Sequence, residues 1–166
     1  MALRQVRVDG DPVLLKVCKP VEEMTPRIKI LIEDMLDTMY EANGVGLAAN
    51  QVGILKRIVV IDVNPEEEDP VVLINPKILE ADGEQCGYEG CLSLPGKTGI
   101  VRRPERVKVV YRDRNFMEQT IEGTGLLARA LCHELDHLDG KMYMEKVEGE
   151  LKNVAEQDYD EDEEEE

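Results

Sequence analysis

A chain of 166 residues, 42% of them hydrophobic and spread along its length, can bury a core as one domain and is too apolar for global disorder. No apolar run approaches the ~18 residues of a membrane span, and a formal net charge of −16 argues against a nucleic-acid backbone as the main partner. The start, MALRQVRVDGDPVL, has neither the apolar stretch of a secretory leader nor the Arg- and Ser-rich character of a transit peptide. A cytoplasmic protein with reduced cysteines is therefore expected.

In chain order, the first clear element is an amphipathic helix over residues 25–43, where Ile28, Leu31, Ile32, Met35, Leu36 and Met39 recur at the spacing of one helical face. Thr25 suits its N-cap, Pro26 its first turn, and Asn43-Gly44 its stop. The next segment, Gly44-Val45-Gly46-Leu47-Ala48-Ala49-Asn50-Gln51, is rich in small residues, which implies close approach by another backbone or by a ligand. Such a strip can pair with an extended peptide, and Gln51 offers an amide donor for a developing oxyanion.

Residues 57–63 and 71–81 are rich in β-branched side chains and read as strands. Residues 107–113 and 117–123 flank Arg114-Asn115-Phe116 and read as an antiparallel hairpin. Strands and helices do not alternate, so the expected class is α+β. The last strong helix runs through GLLARALCHELDHLDG, with Thr124 as a possible cap and Gly140 as its stop, and it is apolar enough to be largely buried. Eight of the nine residues 158–166 are acidic and hold half of the net charge. The chain is thus divided into a catalytic domain over residues 1–150 and an acidic tail over residues 151–166, solvated and flexible.

The motif with the most chemical content is His133-Glu134-Leu135-Asp136-His137. Positions i and i+4 on a helix bring two imidazoles to one ion, and the adjoining glutamate can move the proton of an attacking water. These are the chain's only two histidines, and the helix around them is too apolar for an idle polar trio. A hydrolytic site needs a third ligand. Glu145, Glu148 or Glu150 could supply it, and so could Cys91, which sits in the turn-like YEGCLSLPG. Composition does not choose between them. Cys18, Cys86 and Cys132 read as small buried hydrophobes.

In order and spacing, GVGLAANQ, EGCLS and HELDH resemble the three signature motifs of peptide deformylases, and the similarity runs from GDPVL to about Val147. The resemblance implies an α+β fold in which antiparallel β-sheets surround the helix carrying HExxH. It implies one divalent metal ion held by Cys91, His133 and His137, with Fe(II) native and Zn, Ni or Co as substitutes. It further implies Glu134 as general acid/base, Gln51 and the Leu92 N–H as the oxyanion hole, and backbone at Val45, Gly46 and Gly90 binding the substrate as an added strand. The implied substrates are N-formylmethionyl nascent peptides. Some bacterial members carry a basic C-terminal helix that contacts the ribosome; the acidic tail here would be repelled by ribosomal RNA, so any ribosome association is transient and not through the tail. A zinc peptidase with a downstream glutamate ligand, and an acidic-tail binding module with a structural metal, are the alternative readings.

Overall fold

The computed structural model describes residues 2–154. The acidic run over residues 158–166 lies outside them. Two helices and eight strands form an α+β fold with two antiparallel sheets. The larger sheet has the order β1-β2-β3-β6-β7, the smaller β4-β5-β8.

Helix α1 (Pro26–Glu41) starts as its sequence dictates: Thr25 stays extended, and its hydroxyl accepts from the Ile28 N–H at 3.3 Å. Strands β1 (Gly46–Ala48), β2 (Ile58–Ile61) and β3 (Val71–Asp82) follow. The continuous apolar run of β2 is explained by burial on both faces. Ile58 and Val60 join Met35 and Met39 of α1 in one core, while Val59 and Ile61 face a second core around α2 (Gly125–Leu138), with Ala128 and Leu131. The larger sheet therefore separates two helices, each burying its apolar stripe, at about 1.5–3 kcal/mol for each large side chain removed from water.

β6 (Arg106–Arg112) and β7 (Glu118–Thr124) pair antiparallel as a hairpin in the expected place. Thr124 occupies the N-cap position of α2 without a side-chain capping bond. At the other end, Gly140 turns the chain with φ +76°, where an added Cβ would lie 2.5 Å from the Leu15 carbonyl oxygen. The helix is buried from Ala128 to Leu138 except at Asp136.

More than one antiparallel sheet was expected, but the strands of the smaller one were not read from the sequence. β4 (Gln85–Cys91), β5 (Leu94–Arg103) and β8 (Val147–Asn153) carry glycines and charges in place of an apolar alternation. β8 pairs with β5 and includes residues 151–153, so the expected boundary after residue 150 falls inside a strand. Cys86 is also corrected: it is exposed on β4, whereas Cys18 and Cys132 are buried as expected. Its neighbour across the ladder is Arg102, so that position faces a polar surface.

Candidate metal centre

Helix α2 presents His133 and His137 one turn apart, and the end of β4 brings Cys91 to them. One ligand atom from each of the three lies within 4.8 Å of the others. Cys91 Sγ stands 3.2 Å from His137 Nε2, which stands 3.2 Å from His133 Nε2. Donors on a tetrahedral ion at about 2.0–2.3 Å lie roughly 3.3–3.8 Å apart, so these spacings suit one ion to within a few tenths of an ångström. Burial and the neighbouring His133 push His137 well below the ordinary imidazole range, which keeps it a neutral donor. Two imidazole nitrogens and a sulfur this close in a buried place repel unless a proton or cation lies among them, and the donor set fits a divalent metal. Glu145, Glu148 and Glu150 are exposed, and Arg102 Nε holds Glu148 at 2.8 Å. Among the described residues, Cys91 alone joins the histidine pair.

Behind the histidines lies a charged group that sequence reasoning missed. Glu89 is 5% exposed and accepts from His133 Nδ1 at 2.7 Å, from Arg103 Nε and Nη2 at 2.8 and 2.9 Å, and from Arg129 Nη1 at 2.7 Å. Burial works against its charge, but the bonds from Arg103 and His133 outweigh it and hold the carboxyl down at about 2. An ionised carboxylate only accepts, so the Nδ1 of His133 carries the proton and its Nε2 faces Cys91 and His137 as a donor pair. Arg103 also bonds Asp136 at 2.7 Å, tying the smaller sheet to the metal-facing helix. One signal was available in the sequence: Arg129 is a cation inside an apolar helical run and requires a buried partner.

Glu134 is buried, with its Oε1 lacking any hydrogen-bond partner among the described residues. Burial pushes its carboxyl up to about 7, the range of a group that both takes and gives a proton near neutrality. Space for it is left by Gly46, where an added Cβ would lie 2.5 Å from Glu134 Oε2 and 2.9 Å from its Cγ.

Gln51 sits on a 3-10 turn, Ala49–Val52. Its Oε1 accepts from the Ala48 N–H at 2.9 Å, which turns Nε2 toward Ser93 Oγ at 3.0 Å and Cys91 Sγ at 3.5 Å. The amide's orientation is thus fixed by the backbone, with the donor end in the site. Leu92 follows Cys91 in the turn between β4 and β5, and an added Cβ at Gly44 would meet its Cδ1 at 2.8 Å.

These residues line one cleft of about 510 Å³, walled by the segment Gly44 to Gly46 on one side and Tyr88 to Leu92 on the other. Both walls are sheet edges, since β1 ends the larger sheet and β4 the smaller. The Asp62 N–H bonds the Val45 carbonyl at 2.8 Å, and Gly46 pairs with Ile61. In an antiparallel ladder the polar groups of Gly46 then point outward, away from β2. The Val45 carbonyl is engaged within the sheet, while its side chain is 40% exposed in the cleft wall. At Gly90 an added Cβ would meet only the Lys97 carbonyl at 3.6 Å.

Residues 3–153 match the protein-family model described as Polypeptide deformylase. A peptide deformylase of Agathobacter rectalis is 65% identical over 158 residues, covering 95% of this chain and 98% of the relative. One of Lachnoclostridium phytofermentans is 61% identical, covering 99% and 100%. A crystal structure of a peptide deformylase from Legionella pneumophila superposes with a TM-score of 0.86 at 43% identity, covering 89% of this chain and 87% of the other. That of a Synechococcus elongatus peptide deformylase in complex with actinonin gives a TM-score of 0.83 at 45% identity, covering 87% and 78%.

Proposed function

Because the chain belongs to the polypeptide deformylase family, we infer that it hydrolyses the N-formyl group from nascent polypeptides, with Cys91, His133 and His137 holding one divalent metal ion. The observation that carries this reading is the convergence of those three donors beside Glu134, whose Oε1 has no hydrogen-bond partner among the described residues, at the meeting of two sheet edges. In this reading the two sheets surround the helix bearing HELDH, and α1 is the N-terminal amphipathic element packed on the far face of the larger sheet.

When bound, the ion supplies Lewis acidity at the formyl carbonyl and lowers the pKa of the attacking water. Glu134 takes the proton of that water and passes it to the departing amine nitrogen as the C–N bond breaks. Formate and a free amino terminus result. Gln51 Nε2 and the Leu92 N–H donate to the carbonyl oxygen as it gains negative charge. Gly46 and Gly90 bind the peptide as a strand added between β1 and β4, through backbone contacts that do not depend on the residues following methionine, and Val45 binds it through the side chain it presents in the cleft wall. Fe(II) is the native ion in this reading, with Zn, Ni and Co as substitutes, since a thiolate and two imidazoles accept all four.

The protein acts in the cytoplasm on N-formylmethionyl peptides, with only transient ribosome association. The acidic segment is an appendage to the catalytic domain that does not bind nucleic acid. Among the described residues no helix is long and apolar enough to cross a membrane. Formate release from formyl-Met-Ala-Ser under anaerobic conditions, beside a Glu134→Ala control, tests the reading. Wild-type release with a control at least about a hundredfold slower is expected; no release by metal-loaded wild type would overturn it.

A further inference from the structure

Asn50 is completely buried, on the same 3-10 turn as Gln51. A primary amide brings two donors and two lone pairs into the core. Its Nδ2 donates to the His137 carbonyl at 2.5 Å, while its Oδ1 has no partner among the described residues. A half-satisfied amide is a poor choice for packing alone, because a buried polar atom without a partner opposes folding. What distinguishes the position is the acceptor it reaches, the backbone of a metal-facing histidine.

The bonds around it form a closed circuit. Asn50 Nδ2 reaches the His137 carbonyl, His137 Nε2 faces Cys91 Sγ at 3.2 Å, and Gln51 Nε2 reaches Cys91 Sγ at 3.5 Å. Gln51 closes the ring through its peptide bond to Asn50. Other contacts pin the same corner: the Arg57 guanidinium donates to the Leu138 carbonyl at 3.2 Å and pairs with Asp139 at 3.0 Å at the end of α2. These hold the helix end from outside. Among the described residues, the side chain of Asn50 supplies the hydrogen bond that joins that end to the turn carrying Gln51, and does so from within the core.

Resting on the deformylase reading, we propose that Asn50 is a positioning residue that locks the Gln51 turn to the end of helix α2, keeping the oxyanion donor and the His137 imidazole in register. It touches neither substrate nor metal. Its contribution is the fixed distance between two groups on separate elements, and such outer partners typically change metal affinity or rate by about 10–100-fold.

The test compares wild type with Asn50→Leu, which keeps the branched four-atom outline and removes the donor, and with Asn50→Ser, which keeps a shorter donor directed from the same turn. Three quantities are read: release of bound cobalt to a chelator, the visible absorption spectrum of the cobalt form, and kcat and KM for formyl-Met-Ala-Ser. Asn50→Leu is expected to release cobalt about tenfold faster or more, to shift the cobalt spectrum, and to lower kcat about 10–100-fold with KM nearly unchanged. Its Tm should be equal to or above that of wild type, because the orphan Oδ1 is gone. Asn50→Ser should recover most of the metal retention. Wild-type cobalt release and spectrum in a folded Asn50→Leu protein overturn the proposal, as does a loss of rate that merely follows a fall in Tm. If Asn50→Leu does not fold, Asn50→Ala replaces it, and failure of Asn50→Ser to retain metal better than Asn50→Ala overturns the proposal. The cobalt measurements need no turnover, so they separate failure of this proposal from failure of the deformylase reading.

Discussion

The packing of the larger sheet against α1 and the junction of α2 with the smaller sheet are built on different principles. Against α1 the contacts are apolar: Met35 and Met39 are fully buried among Leu47, Ile58 and Val60. Beyond α2, where that helix meets the smaller sheet, the buried space is ionic, with Glu89, Arg103 and Arg129 paired at 2.7–2.8 Å. The first arrangement stabilises the fold through burial. The second gains little net stability, since desolvating charges offsets their attraction, but it fixes the orientation of His133. Folding energy and site geometry are thus assigned to different interfaces, the first to the apolar cores on the larger sheet and the second to the junction of α2 with the smaller sheet.

The largest break in that contrast is expected from Glu89→Gln. It leaves the Arg129 guanidinium without its carboxylate and Arg103 with Asp136 alone, and should cost about 3–5 kcal/mol in urea unfolding of the metal-free protein at neutral pH. The pH dependence follows from the depressed carboxyl. Glu89 moves from 4.5 to about 2, so its contribution is present above pH 4.5 and is lost as pH falls through about 2. The stability gap between wild type and Glu89→Gln should close across that window, and a gap that stays constant would refute the assignment.

Met39→Ala, on the apolar side, should cost about 2–5 kcal/mol in the same measurement while leaving formate release per folded molecule within about twofold. A specific loss of rate would show that the two sides are coupled. Gly46→Ala should do the reverse: its Cβ meets the Glu134 carboxylate, so kcat falls about 10–100-fold with little change in the urea midpoint. The smallest effect is expected at Cys86→Ser, exposed on β4, which should shift stability by no more than about 0.5 kcal/mol and leave metal content unchanged.

How much was legible in the sequence follows the same division. The apolar side announces itself by periodicity: α1, β2, β3 and the β6–β7 hairpin fall within a few residues of their expected bounds, because burial imposes the 3.6- and two-residue repeats. HELDH was legible because a helix fixes i and i+4. The smaller sheet was not, since β4, β5 and β8 are held by pairing and by ion pairs between residues far apart in sequence. Arg103 and Arg129 lie 14 and 40 positions from Glu89, so no local pattern carries the cluster. The role of Asn50 was likewise not legible, because its partner, a main-chain carbonyl 87 positions away, has no signature in side-chain identity.

The open borders of β1 and β4 have one more consequence. An unpaired strand edge is ordinarily an invitation to aggregate, and proteins blunt such edges with charge, proline or a covering loop. Here the two borders confront each other across a slot flanked by Leu126, near the start of α2, and Pro95, near the start of β5. A single extended chain end can thread that slot, whereas a folded neighbour offering a strand from within a sheet meets the flanks first. In the proposed reading, the feature that lets the cleft pair with an extended peptide thereby also bars a folded neighbour from adding to the same edges.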